Sequence, residues 1–262
     1  MDRKVKTIDI EVQESRLIYN IVGFIPATDF IDNNILISNI AYLISQKGFN
    51  TCILDFKVFY PNIYQYLDCN PLSKGEGLLK VLQSDKVDIR DEIISTKYDR
   101  LYLLSPSPYD LMEEYFDFDF SHIESLINIV KEMFDIVLID IPNIPPLEFC
   151  IGAMKYSHIG FFTFSERLEA PNNMNKLLKF ISSIGINPSK YMNVINLNYE
   201  GLTYDYSVFD KMDFKIVATL PYIKSAISSA LEGKIYVRDN PLLNREYLKA
   251  CNEIVDILIN EI

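Results

Sequence analysis

The sequence predicts an α/β fold: one domain over residues 1–262, built on a mostly parallel, twisted sheet of about seven or eight strands with helices on both faces. Three observations carry this expectation. Short apolar runs alternate with stretches of helical spacing along the chain. Those runs are apolar at successive positions, as strands covered on both faces are. No linker, repeat or low-complexity run breaks the order, and with 49 % apolar residues a 262-residue chain can bury a sizeable core.

The elements follow in order. Ile8, Ile10 and Val12 alternate with Asp9 and Glu11, the period of a half-buried strand, and Glu14 and Ser15 turn it into a strand over residues 17–24. Ile35, Leu36, Asn39, Ile40, Leu43 and Ile44 lie at helical spacing, with Gly48 suited to follow the helix end. Residues 51–56 read as a core strand. Residues 61–67 and 75–82 read as short helices, the second with Leu78, Leu79 and Leu82 on one face. A strand over 100–104 ends at Ser-Pro-Ser-Pro (105–108).

The segment DLMEEYFDFDF follows, its carboxylates interleaved with aromatics. It fits a solvated surface segment or an acidic partner-docking segment. Ser121 with Glu124 has capping-box spacing for a helix running to about Met133. Residues 134–140 form a near-continuous apolar strand ending in Asp140, and 158–164 form another. A helix over 170–184 stops at Gly185 and Pro188. Strands over 191–197 and 214–220 and helices over 226–231 and 244–259 complete the chain.

The net charge of −11 excludes non-specific nucleic-acid binding, which needs lysine and arginine against phosphate, and opposes anionic membrane surfaces. The acidic C-terminal helix EYLKACNEIVDILINEI, with Lys249 its only base, is expected to pack on the domain and not on lipid. Cys52, Cys69, Cys150 and Cys251 form no CxxC pair and read as free thiols in a reducing compartment. The N-terminus has no apolar signal region and no run reaches membrane-span length, so a cytoplasmic protein without direct membrane insertion is expected.

The stretch from Arg16 to Asp55 reads as strand, turn, helix, strand, and the rest of the chain is organised around it. Further pieces in fixed order resemble the MinD/ParA group of P-loop ATPases. QKGFNTCILDFKVFYPNIYQYLDC is similar to the group's helix end, second strand and first switch segment. FDIVLIDIPN is similar to its Walker B strand, with Asp140 as the aspartate. YMNVINLN resembles the late strand whose asparagine reads adenine, here Asn196. LPYIKSAISSALEGKIYV resembles its closing signature of proline, helix and Glu-Gly-Lys, with Pro221 as the proline. The resemblance implies a P-loop NTPase-like fold and a nucleotide site at Thr28, Asn33, Asn34, Asp55, Lys57, Asp140, Asn196 and Pro221. Within the group, LLSPSP looks closest to the CpaE/TadZ branch, which helps place and assemble pilus secretion machinery.

The loop chemistry departs from that group. A phosphate loop needs glycines for close backbone approach, a lysine for the β/γ-phosphates and a hydroxyl for Mg²⁺. Alignment back from Gln46-Lys47-Gly48 puts Asn33 at the signature lysine, Thr28 at the group's second lysine, and Asn34 and Ile35 at the paired threonines. Residues 24–46 contain no glycine, lysine or arginine, and Asp29 and Asp32 stand in the turn. A triphosphate there loses charge-assisted hydrogen bonds worth about 1.5–3 kcal/mol each. The helix N-terminus favours an anion by only ~1 kcal/mol, and Asp32 is expected to take that place as N-cap.

Asp55 and Lys57 occupy the group's Asp-x-Asp positions, so a lysine replaces the carboxylate that helps orient water. Lys57 is placed to bridge to Asp140 or Asp55 in lieu of Mg²⁺. Asp140 itself reads as a surviving Mg²⁺ ligand or as a structural carboxylate. Asn196 reads as a base contact or as a turn former. His122 and His158 show no partner pattern, and no triad or zinc spacing stands out.

The expected function is therefore a non-catalytic scaffold, localisation or assembly factor. Its expected partners are proteins: a second copy, a related ATPase, or pilus and secretion components that recruit it to membrane or pole. No cofactor is expected; the alternative is a divergent ATPase of the group, using ATP with Mg²⁺ in positioning or partitioning.

Overall fold

The computed structural model describes residues 15–27, 33–84, 87–167, 169–197, 215–239 and 245–261. The strands are β1 (Ser15–Leu17), β2 (Ile21–Pro26), β3 (Thr51–Asp55), β4 (Ile94–Ser95), β5 (Leu101–Leu104), β6 (Ile136–Asp140), β7 (Ile159–Phe164), β8 (Tyr191–Asn196), β9 (Ile216–Leu220) and β10 (Ile259–Glu261). The helices are α1 (Asn34–Gln46), α2 (Ile63–Tyr66), α3 (Leu78–Gln83), α4 (Phe120–Met133), α5 (Leu147–Tyr156), α6 (Ala170–Ser183), α7 (Lys224–Leu231), α8 (Tyr236–Asp239) and α9 (Arg245–Leu258).

Eight strands form one sheet in the order β4-β5-β3-β6-β2-β7-β8-β9, parallel throughout except for β4 against β5. The expected fold class is the observed one. Successive residues of each central strand enter opposite layers. Ile21, Ile25, Val137, Ile139, Phe162 and Phe164 pack with α3 to α6 on one face. Val22, Phe24, Ile136, Leu138, Ile159 and Phe161 pack with α1, α2 and α7 to α9 on the other. This is why the strands read as unbroken apolar runs.

Chain order sets the site. From β2 the chain crosses through α1 to β3; from β6 it crosses through α5 to β7, on the far side of β2. Strand order reverses about β2, so a crevice opens at the carboxyl ends of β2 and β6. α1 leads from that crevice and ends as expected: Gly48, at φ +96°, donates its N–H to the Ser45 carbonyl at 3.0 Å.

Several sequence expectations need correction. The strand expected over 17–24 is two strands. Ser15 and Leu17 pair with Glu261 and Ile259 in a separate antiparallel ribbon, and the Ile18 N–H goes to the Leu258 carbonyl. The last helix accordingly stops at Leu258 and gives way to β10. α4 begins at Phe120, not at Ser121, because the Asp119 carboxylate accepts from the Ser121 and His122 N–H groups. Glu124 accepts from the Tyr156 hydroxyl at 2.6 Å. α5, β4 and α8 were not expected; the α5 segment LEFCIGAMKY carries an interior glycine and an exposed leucine, Leu147, so its apolar positions give no clear helical period.

The strand expected over residues 8–12 lies outside the described residues. Cys52 and Cys251 are buried, Cys69 and Cys150 half-buried, and all four are free thiols. α9 packs on the domain through Tyr247, Ala250, Cys251, Ile254, Val255 and Leu258. No helix among the described residues is long and apolar enough to cross a membrane.

Candidate functional site

β3 and β6 end side by side at the crevice, with Asp55 and Asp140 as register partners. The Phe56 N–H donates to the Asp140 carbonyl at 3.1 Å, so the chain leaving β3 stays pinned to β6. Both carboxylates are fully buried. The next residue but one, Lys57, meets both. Its N–H donates to Asp55 Oδ1 at 2.9 Å, and its ammonium lies 2.9 Å from Asp140 Oδ2. Of the two bridges open to the lysine side chain, the fold uses the one to Asp140.

Two further groups complete the cluster. Asn34, in the first turn of α1, accepts from Lys57 Nζ at 3.5 Å, and the Ser105 hydroxyl, just past β5, lies 3.3 Å from Asp55 Oδ2. Among the described residues the cluster sets two buried carboxylates against one ammonium. Burial, then the neighbouring Asp140 charge, push the Asp55 carboxyl up to about 7, against the pull of the Lys57 and Ile63 N–H groups and the Lys57 charge.

Asn33, at the signature-lysine position, is fully buried and precedes α1. It is the N-cap residue in place of the expected Asp32. Its side chain makes no cap bond because it turns to β7, where the Thr163 hydroxyl donates to Asn33 Oδ1 at 2.7 Å. Asn33 Nδ2 has no hydrogen-bond partner among the described residues. Thr28, Asp29 and Asp32 lie outside them.

Two cavities adjoin these groups. One of about 200 Å³ is lined by Pro26, Asn34, Lys57, Tyr60, Asn62 and Ile144, among others. The other, of about 260 Å³, brings Asn196 and Pro221 together with Ile35, Leu36, Tyr222 and Tyr247. Of the candidate site residues that the structure describes, Asn34 and Lys57 line the first cavity and Asn196 and Pro221 the second, while Asn33, Asp55 and Asp140 are fully buried. Exposed Phe59, Tyr60, Ile144 and Leu147 stand on the segments that follow β3 and β6.

Sequence reasoning missed Ser105 and Thr163. Each has a visible signal: a small polar residue at the end of an apolar strand, LYLLS and IGFFT. His122 sits in the α4 cap, its ring nitrogen 2.8 Å from Asp119 Oδ1, well apart in sequence from the site. No group of three His, Cys, Asp or Glu that could hold a metal occurs among the described residues.

The septum site-determining protein MinD complexed with Mg-ADP from Pyrococcus horikoshii superposes with a TM-score of 0.75 at 18 % identity, covering 91 % of this chain and 95 % of that one. The chain has the MinD/ParA fold. A ParA family ATPase from Chlorobium tepidum gives a TM-score of 0.76 at 17 % identity, with 90 % and 98 % covered. Apo McdA from Cyanothece gives 0.72 at 13 % identity, with 89 % and 98 % covered. No family model and no curated protein matches the sequence. Within the MinD/ParA fold, the Lys57–Asp140 pair stands at the crevice where the sequence resemblance places the nucleotide site.

Those residues fit a magnesium triphosphate poorly. A cation approaching Asp140 meets an ammonium already 2.9 Å from its carboxylate, and the position of the phosphate-binding lysine holds a neutral amide bonded to Thr163.

Proposed function

We propose that this chain is a non-catalytic protein of the MinD/ParA fold that acts as a scaffold, localisation or assembly factor through protein–protein contacts. The Lys57–Asp140 ion pair carries the reading. It puts a protein charge beside the carboxylate that a magnesium ion would need, and it ties the segment after β3 to the end of β6. A buried pair of this kind holds one arrangement of two segments, because separating the partners strands a charge in a dry site.

Exposed Phe59, Tyr60, Ile144 and Leu147 on the two tied segments support docking across this face, with a second copy or a related ATPase as the partner. The LLSPSP segment supports placing that role at a pilus or secretion apparatus.

One observation favours a second reading, a divergent ATP-binding ATPase. Asn196 and Pro221 still share an apolar cavity suited to a base. The titration calorimetry of the full chain with Mg-ATP separates the two. The scaffold reading expects no binding at micromolar nucleotide and no phosphate release. It also expects an oligomeric state, read by light scattering, that ATP leaves unchanged. Micromolar binding with phosphate release reverses the preference.

A further inference from the structure

Between Arg100 and Lys131 the chain carries six carboxylates and no lysine or arginine. Four of the six are used inside the fold. Asp110 accepts from the Gly75 N–H at 2.7 Å, the Ser107 N–H at 3.2 Å and the Tyr115 hydroxyl at 2.7 Å. Glu114 accepts from the Leu111 N–H at 2.7 Å and lies 3.4 Å from the Lys74 ammonium. Asp119 caps α4, and Glu124 holds Tyr156. Glu113 and Asp117 are exposed and have no ion-pair partner among the described residues.

The same stretch exposes four large apolar side chains: Tyr109 (60 %), Leu111 (49 %), Phe116 (50 %) and Phe120 (40 %). The backbone beneath them is held in place. Tyr115 and Phe118 are buried with ring centroids 6.3 Å apart, and Tyr115 also meets the Phe149 ring of α5 at 5.8 Å. Apolar groups displayed on a fixed platform lose little freedom on binding, and clustered exposure of this kind marks a contact surface.

Charge selects the occupant. A second copy would set the same carboxylates against each other, and anionic lipid or nucleic acid is repelled in the same way. We propose that the ridge over residues 109–120 docks a cationic amphipathic segment of a partner protein. Its apolar side chains sit on Leu111 and Phe116, and its lysines or arginines face Glu113 and Asp117. This rests on the scaffold role proposed above and adds to it a second docking surface, separate from the face at Phe59, Tyr60, Ile144 and Leu147, with its own partner chemistry. It holds whether or not the ion-paired crevice takes a nucleotide.

The test uses the full chain and a synthetic amphipathic helix of about five turns, leucine on one face and lysine on the other. A control peptide carries glutamate for lysine. The lysine peptide is expected to bind and the glutamate peptide to fail. Glu113→Lys with Asp117→Lys, and separately Leu111→Ser with Phe116→Ser, each weaken binding at least tenfold. Glu132→Lys with Asp256→Lys makes the same charge change on exposed residues away from the ridge and weakens binding less than twofold. Equal weakening by the distant pair, or none by the ridge pairs, overturns the proposal. Circular dichroism of each variant confirms that it is folded. The ATP titration reads the crevice and the peptide titration reads the ridge, so either reading can fail alone.

Discussion

Asp55 and Asp140 stand side by side as the last residues of β3 and β6, both fully buried, and the Lys57 ammonium is set 2.9 Å from Asp140 while its N–H goes to Asp55. Among the described residues, Asp55 receives the Lys57 and Ile63 N–H groups and the Ser105 hydroxyl. That asymmetry divides the work. Asp140 faces the lysine ammonium, while Asp55 is the carboxyl that burial and the adjacent carboxylate drive toward its protonated form.

Removing the lysine therefore removes a side-chain cation that the structure sets 2.9 Å from Asp140. Breaking a buried pair costs about 3–5 kcal/mol, and the partial exposure of the Lys57 side chain, 17 %, puts Lys57→Met near the lower end, roughly 3 kcal/mol. Urea unfolding of the purified chain reads this directly. Adding Asp140→Asn to the same variant recovers most of the loss, because the stranded charge goes with it. A Lys57→Met chain as stable as the parent would show that the pair holds nothing together.

Asp55 makes a prediction with pH. Its carboxyl is raised, by burial first, from the ordinary carboxylate range to about 7. Over that window the folded chain binds a proton that the unfolded chain has released, so stability falls as pH rises. The favourable contribution is complete below the unfolded pKa of about 4 and is gone above about 7. The difference in unfolding midpoint between parent and Asp55→Asn should therefore shift against the parent from pH 5 to pH 8. A difference that stays constant across that range would place the titrating carboxyl elsewhere.

Thr163 is the only polar side chain in β7, and its hydroxyl serves Asn33 and, at 3.2 Å, the Ile25 carbonyl. Thr163→Val keeps the shape and removes the donor. Asn33 is fully buried, so its side-chain oxygen is left without that bond, at a cost of about 1–3 kcal/mol. Adding Asn33→Leu to Thr163→Val should cost less than the sum of the two single changes. Additive losses in such a double-mutant cycle would deny the coupling.

What could be read from the sequence divides along the same physical line. The sheet was legible because strands covered on both faces are apolar at nearly every position, as IVLID is up to Asp140 and IGFFTF is apart from Thr163. The Lys57 bridge was legible because a lysine two residues past a strand-end aspartate has few places to put its charge. Asn196 and Pro221 were placed by resemblance alone, and the structure brings them to one cavity. The pairing of β1 with β10 was not legible: it joins residues more than 240 positions apart, and three residues carry no period of their own. α5 was hidden because its apolar residues extend onto the exposed side, as Leu147 does, and blur the helical period. The bond from Thr163 to Asn33 spans 130 residues and has no local signature.

Gly77 gives the last prediction, because it couples the loop beside the ridge to the buried carboxylates. Its φ of +67° is in the left-handed region, its N–H donates to the buried Glu92 carboxylate at 2.8 Å, and a Cβ on it would collide with the Ser105 carbonyl. That carbonyl already accepts from the Leu78 N–H at 3.0 Å, and the same serine's hydroxyl reaches Asp55. Gly77→Ala must therefore strain the backbone and push Ser105 away, at a cost of about 2 kcal/mol or more. Because Ser105 is one of the donors that reach Asp55, the variant should also move the Asp55 titration further upward, extending the pH-dependent loss of stability to higher pH. Unfolding midpoints across pH 5 to 9 measure both effects at once. A Gly77→Ala chain that loses stability equally at every pH would show that the loop yields without disturbing Ser105.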